Sequence, residues 1–102
     1  MPAGKNKTFL LRCSPAFGEQ LANALEAYAH AAYPPGGSEC AQVAHQTLLE
    51  SARTVRKDAA TEAGATLRRR QRTHFKAAVN WYFGEDDPGD TAYRDPLLRL
   101  IP

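Results

Sequence analysis

The side chains best suited to chemistry in this 102-residue chain are its arginines. Four of them fall within Arg68–Arg72, and residues 53–76 as a whole carry a net charge of +6. Guanidinium groups at this density neutralise phosphates, and each such contact adds salt-dependent affinity for a nucleic acid. The alternative is a solvated helix face partly paired with residues 85–95, whose net charge is −4. This asymmetry predicts a polyanionic partner, or neutralisation within or between chains.

Histidines and cysteines are the other reactive side chains, and their spacing does not indicate a site. His30, His45 and His74 are 15 and 29 residues apart, without the short separations of zinc ligands. Cys13 and Cys40 are too few for a disulfide framework, and nothing around them indicates a Cys–His nucleophile. We therefore predict free thiols and a protein that is not an enzyme, with no metal, no cofactor and no small-molecule substrate.

Apolar periodicity predicts the elements that carry these residues. Residues 8–13 alternate between two faces, as a short strand does. Ser14-Pro15 and Ser38 are suited to cap two helices, since apolar residues recur at intervals of three and four after each of them. The second helix either breaks at Gly64 or continues past it. No long apolar span or charged-then-apolar leader is present, which predicts a soluble cytoplasmic protein without a membrane partner.

The second half of the chain is predicted to be a helical extension. A third helix is expected over residues 67–82, with Arg68, Arg72 and Lys76 aligned along one side at intervals of four. An acidic turn at residues 84–90 follows. Residues 96–101 then form a short apolar tail, which needs a groove in its own dimer or on another protein.

The N-terminal strand lacks a visible mate in its own sequence. A lone strand leaves its edge groups unsatisfied and needs a partner. The simplest partner is the same strand of another copy, paired antiparallel across a two-fold axis. The sequence therefore predicts a homodimer.

Residues 9–53 resemble the ribbon-helix-helix family of bacterial and phage DNA-binding regulators. The matching pieces are Phe9-Leu10-Leu11-Arg12 as the ribbon, Ser14-Pro15 and Gly37-Ser38-Glu39 as the two helix starts, and Leu48-Leu49-Glu50-Ser51 near the end of the second helix. The resemblance implies a mainly α fold, with a strand and two helices in a dimerisation and binding domain (1–57). A C-terminal helix and tail would form an extension (58–102).

That resemblance also implies a transcriptional regulator whose paired ribbons lie in the major groove of operator DNA. The outward ribbon side chains would read bases, and the start of the second helix would hold a phosphate. Together with the basic face, the expected DNA-binding residues are Lys5, Lys7, Thr8, Arg12, Ser38, Arg68, Arg69 and Arg72.

The alternative is a protein-binding regulator on the same scaffold. It would sequester another factor, as quorum-sensing anti-activators and antitoxins do. Leu10 at a base-reading position, the aromatic run 81–83 and the apolar tail favour this hypothesis, because helices and tails of this kind dock in grooves. The expected partner-binding residues are Leu10, Trp81, Tyr82, Phe83, Leu97, Leu98 and Leu100.

Overall fold

Two short strands and four helices make up the part of the chain that the structure describes. The computed structural model describes residues 7–102, so the predicted DNA contact Lys5 lies outside it. The expectation of a mainly helical chain with a short N-terminal strand is confirmed. In order, the elements are β1 (Thr8–Leu11), α1 (Pro15–Ala32), α2 (Glu39–Asp58), β2 (Ala65–Arg68), a 3₁₀ turn (Arg69–Gln71), α3 (Arg72–Tyr82) and α4 (Pro88–Leu100).

The first two helices begin where the capping residues predict. The Ser14 hydroxyl accepts a hydrogen bond from the Phe17 backbone N–H at 3.3 Å. The Ser38 hydroxyl accepts one from the Ala41 backbone N–H at 3.2 Å. Each bond satisfies a donor that the first helical turn leaves free. At the other end of α1, His45 Nδ1 of α2 lies 3.0 Å from the Ala29 carbonyl oxygen, which ties the two helices together.

A second strand corrects the prediction that β1 has no mate in its own chain. β2 pairs antiparallel with β1, with Thr8 opposite Arg68 and Leu11 opposite Ala65. Leu67 fits a helical stripe in the sequence, but β2 follows the period of a strand, with alternate side chains buried and exposed. The third helix therefore begins at Arg72 rather than at residue 67. A second copy is not required to satisfy the edge of β1 that β2 occupies.

Gly64 turns the chain from α2 into β2. The helix ends at Asp58, and its continuation past Gly64, left open by the sequence, does not occur. Gly64 has φ of 76°, in the left-handed region that glycine adopts without a steric penalty. A Cβ atom at this position would lie 2.5 Å from the Cγ atom of Arg12. Glycine is therefore favoured at position 64 by the backbone conformation and by the close approach of the Arg12 side chain.

The hydrophobic core draws on both halves of the chain. Phe75 of α3 is fully buried and meets Phe9 of β1 edge to face, with 6.2 Å between ring centroids. The largest of the other fully buried side chains come from β1 and all four helices, and they are Leu11, Leu21, Leu25, Leu48, Val55, Val79 and Leu97. The short two-stranded β1–β2 sheet therefore packs on the helices, which supply the burial that an isolated pair of strands lacks.

The predicted apolar tail is part of α4. Leu97 and Ile101 are buried in the common core. Pro96 lies inside the helix, where its missing N–H removes one hydrogen bond without ending α4. The helix also begins within the predicted acidic turn, because the Asp87 side chain accepts a hydrogen bond from the Gly89 backbone N–H at 2.8 Å. The chain thus supplies its own groove, and the prediction of a tail seeking a dimer or partner groove is wrong.

Arg56 links α1 and α2 through an ionic network whose effect is expected to depend on pH. Its guanidinium donates to Glu26 at 2.6 and 2.9 Å, to Glu19 at 3.1 Å and to Asn23 at 2.7 Å. The hydrogen bond from Arg56 holds the pKa of Glu26 below its usual value. Because the folded pKa is depressed, this stabilisation is present above the unfolded pKa of about 4.3 and is lost as the pH falls through the folded pKa.

We expect Arg56→Ala to lower the free energy of unfolding at neutral pH by roughly 0.5–1 kcal/mol, since these side chains are partly exposed and screened by solvent. The loss should shrink towards pH 3, where the carboxylates are protonated in both proteins. Thermal melts from about pH 3 to pH 7 measure this convergence. The matched control is Lys57→Ala, an exposed cation of the same helix. If Arg56→Ala lowered the free energy of unfolding equally at both ends of the pH range, the ionic network would be contradicted.

Candidate nucleic-acid interface

A cleft of about 790 Å³ opens where the β1–β2 ladder meets the start of α3. No carboxylate contributes to its lining, which within the described part of the chain consists of basic and hydroxyl side chains. We call it the cationic cleft, and its residues are Lys7, Thr8, Arg68, Arg69, Arg70, Arg72 and Thr73.

Strand pairing explains why these residues converge. Thr8 lies opposite Arg68 in the ladder, and the Arg69 backbone N–H donates to the Lys7 carbonyl at 2.9 Å, which extends the pairing by one step. The 3₁₀ turn then leads into α3, where the Arg72 N–H donates to the Arg69 carbonyl. The arginine run is thus divided among a strand, a turn and a helix. The guanidinium groups surround a concavity instead of forming the predicted helical row of Arg68, Arg72 and Lys76.

The cations of the cleft lack counter-charges in the structure. The ion pairs found among residues 7–102 involve Arg56 and Arg94 only, so no carboxylate lies within 4.0 Å of a cleft cation there. Arg69 Nε is buried without a hydrogen-bond partner in that same range. A buried donor left unpaired costs about 1–3 kcal/mol. The cleft therefore offers uncompensated positive charge to an anion.

A hydrogen bond in a neighbouring groove anchors the 3₁₀ turn that carries these arginines. The buried hydroxyl of Ser51, on α2, donates to the Gln71 side-chain oxygen at 3.2 Å. Glu50 is also part of this groove of about 240 Å³, which shares Arg68 and Arg70 with the cationic cleft. This contact anchors the 3₁₀ turn to α2, so the arginines are presented from a positioned backbone.

The structure brings together most of the predicted DNA-binding residues. Lys7, Thr8, Arg68, Arg69 and Arg72 all line the cleft. This convergence was not predictable from the sequence, because the strand pairing that produces it was not identified.

Two predicted residues lie elsewhere. Arg12 is exposed beyond the far end of β1, beside Gly64 and a groove that includes Arg99. Ser38 uses its hydroxyl to cap α2. Sequence reasoning did not include Arg70 and Thr73 in the site. Arg70 could have been found from the run itself, whereas nothing in the local sequence marks Thr73.

The predicted partner-binding residues fall into three groups by exposure. Trp81 is 53% exposed and Tyr82 38% exposed, and Leu10 is also exposed. Phe83 and Leu97, in contrast, are 3% and 0% exposed, so their assignment to a partner surface is wrong because the core of the chain already covers them. The remaining two, Leu98 and Leu100, are half-buried against that core.

The exposed Trp81 and Tyr82 cluster with the half-buried Tyr28 near the C-terminal end of α3. Trp81 lies against Tyr28 of α1, with 5.9 Å between ring centroids, and against Tyr82 at 6.3 Å. We call Tyr28, Trp81 and Tyr82 the aromatic corner. The exposed carboxylates of Glu85, Asp86 and Asp87, which we call the acidic loop, follow α3 directly. The basic and acidic surfaces thus lie at opposite ends of one helix.

The thiols and histidines are the other side chains suited to chemistry. Burial raises the pKa of the Cys13 thiol, which lowers its thiolate fraction and reactivity. Cys40 is exposed, and both thiols are free. His30 and His45 approach to 4.9 Å between ring centroids. No group of three or more histidine, cysteine or acidic side chains that could hold a metal ion is found from residue 7 onwards.

Comparisons with protein-family models, with curated proteins and with solved structures found no match to this chain. None of the helices in the described range is both long enough and apolar enough to cross a membrane.

Proposed function

We propose that this protein binds the phosphate backbone of duplex DNA through the cationic cleft and acts as a transcriptional regulator. The observation that carries the proposal is the convergence of five basic side chains on one cleft that no acidic side chain lines within residues 7–102. Arginine donates in a planar fork that matches a phosphate, and hydroxyl groups such as those of Thr8 and Thr73 are common phosphate ligands. Bound protein would block or recruit polymerase by occupying the promoter.

Phosphate contacts position a protein on DNA, and contacts to base edges supply its sequence preference. The face of β1 that carries Thr8 and Leu10 is exposed, and Arg12 beyond it is exposed as well. This agrees with the outward ribbon face that the ribbon-helix-helix resemblance assigns to base reading. Thr8 also lines the cleft, so the proposed reading face and the proposed phosphate site adjoin each other.

The structure removes the reason for which the sequence predicted a homodimer. The ribbon was expected to need a second copy, but β2 of the same chain already pairs with β1. The DNA-binding proposal therefore rests on the cleft of one chain and does not require two ribbons to pair.

A salt titration tests the DNA-binding proposal. A labelled duplex is titrated with protein between about 50 and 200 mM salt, and the affinity is followed by fluorescence anisotropy. If all five cations contact phosphates, the logarithm of the affinity should fall with the logarithm of the salt concentration at a slope of up to about −4.5. Absence of binding at about 50 mM salt, or a slope near zero, would contradict the proposal.

A second candidate function is sequestration of a regulatory protein, and the aromatic corner favours it. Tryptophan and tyrosine are enriched among residues that dominate binding energy in interfaces, and Trp81 presents half of its surface to solvent. A regulatory protein with a complementary groove would bury this side chain. Such a partner would be held through the C-terminal end of α3, away from the cationic cleft.

For this second function we expect Trp81→Ala to abolish recovery of one stoichiometric protein from nuclease-treated extract of the source cells, with little change in melting temperature. The matched control is Val43→Ala, which truncates an apolar residue that is 65% exposed on α2. Recovery that survives Trp81→Ala, or that Val43→Ala reduces equally, would argue against the aromatic corner.

A further inference from the structure

The acidic loop is an anionic surface that is mostly exposed. The Glu85 carboxylate is 78% exposed, and among residues 7–102 its one ion-pair partner is Arg94, at 3.4 Å. Asp86 is exposed and has no hydrogen-bond or ion-pair partner in the described range. The carboxylates of Asp87 and Asp90 are used internally, because they accept from the backbone N–H groups of Gly89 and Gly84. In the described part of the chain Asp86 is thus unpaired, and Glu85 is mostly exposed with one long contact to Arg94, on a loop that its neighbours hold in shape.

The acidic loop and the cationic cleft do not neutralise each other within one chain. The cleft contains residues from the first turn of α3, and the loop follows its last turn. The helix has 11 residues, which corresponds to a length of roughly 16 Å. No ion pair joins the two surfaces within the described range. Glu50, in the groove beside the cleft, is a nearby acid but is not within pairing distance of Arg68 or Arg70.

We propose that, without nucleic acid, the acidic loop of one copy occupies the cationic cleft of a second copy. The cleft is concave and positively charged, and the loop is negatively charged, so the two surfaces are complementary. Because they lie at opposite ends of α3, they do not pair within one molecule. Exposed ion pairs alone are weak. The aromatic corner lies immediately before the loop, and its exposed rings would bury apolar surface in the same contact.

Self-association and DNA binding would then use the same arginines and exclude each other. The self-association itself does not depend on the proposed function, whereas this competition rests on it. Free protein would be held in an associated, DNA-incompetent form that dissociates as duplex binds. The regulator would therefore limit its own DNA-binding fraction at high concentration.

Sedimentation velocity at about 50 mM and about 200 mM salt tests the self-association. We expect the wild-type protein to associate at the lower salt and to dissociate at the higher. Glu85→Gln combined with Asp86→Asn should weaken the association by about tenfold or more, since it removes both negative charges and nearly keeps the shape of the two side chains. The matched control, Glu39→Gln combined with Glu62→Gln, removes two exposed carboxylates elsewhere and should leave the association unchanged.

A mixing experiment identifies the two surfaces as each other's partners. Arg68→Glu combined with Arg70→Glu should also prevent self-association, because it reverses charge in the cleft. We expect a mixture of this variant and the loop variant to associate more strongly than either alone, since one supplies an intact loop and the other an intact cleft. Thermal melts of each variant confirm that it is folded. Wild-type protein that stays monomeric at the lower salt, a loop variant that associates normally, or a mixture that stays monomeric would each overturn the proposal.

Duplex DNA separates this inference from the proposed function. Added duplex should dissociate wild-type protein, and the loop variant should bind duplex more tightly than the control variant when protein is concentrated. If no variant binds duplex but the loop variant alone loses self-association, the proposed function fails and the inference stands. If duplex binds and the wild-type protein is monomeric, the inference fails and the proposed function stands.

Discussion

Replacing Arg68, Arg70 and Arg72 together by glutamine should weaken duplex binding by roughly two to three orders of magnitude at constant salt. Each side chain faces the cationic cleft, and a hydrogen bond to a charged group contributes about 1.5–3 kcal/mol. Part of that energy is screened, which is why the expected total is smaller than three full contacts. Glutamine keeps a polar, hydrogen-bonding side chain but is shorter than arginine and uncharged, so the change removes the charge together with the reach of the guanidinium group. The salt slope should become shallower by about 2.7, or about 0.9 for each lost phosphate contact.

A charge-matched variant determines whether the cleft or the overall charge attracts DNA. Arg53→Gln, Lys57→Gln and Arg99→Gln together remove three exposed cations outside the cleft. This control should retain nearly the wild-type affinity and slope. Because the cleft arginines are at the surface, both variants should keep their free energy of unfolding within about 0.5 kcal/mol per substitution. Equal losses of affinity in the two variants would mean that net charge, and not the cationic cleft, drives binding.

The features that were predictable from the sequence are those determined by nearby residues. Ser14 and Ser38 mark helix starts because a capping hydroxyl bonds to a backbone N–H three residues later, which is a contact within one turn. β2 was missed because it has only four residues, and Leu67 fits both a helical and a strand period. What makes it a strand is pairing with β1, nearly 60 residues earlier in the chain. No local pattern contains that information.

The candidate site was predictable in its chemistry but not in its shape. The arginine run indicated anion binding, and Lys7 and Thr8 were expected at the DNA from the ribbon resemblance. Their meeting in one cleft depends on the β1–β2 register and on the 3₁₀ turn. The prediction that Leu97 binds a partner was wrong, because a short apolar segment looks like a docking tail in the sequence until its own groove is known. That groove is formed by the core of the same chain, through contacts that are distant in sequence.

The contact between Phe9 and Phe75 should be the most sensitive point of the fold to substitution. Phe75 is fully buried on α3, and its ring meets that of Phe9 edge to face. We expect Phe75→Ala to lower the free energy of unfolding by about 3–5 kcal/mol, since it removes a large buried side chain and leaves a cavity. Small domains have only about 5–15 kcal/mol in total. Thermal and denaturant unfolding should therefore show a fall in melting temperature of well over about 10 °C.

Trp81→Ala is the matched control for Phe75→Ala, because it also truncates a large aromatic residue of α3 to alanine but at an exposed position. It should cost less than about 1 kcal/mol. Phe75→Leu should cost less than Phe75→Ala, since it keeps most of the buried volume. Phe9 belongs to the strand that positions Lys7 and Thr8, so loss of the ring contact should also separate two walls of the cleft. If Phe75→Ala melted within a few degrees of the Trp81→Ala control, the β1–β2 sheet would not be held by α3. The shape of the cationic cleft would then need another source.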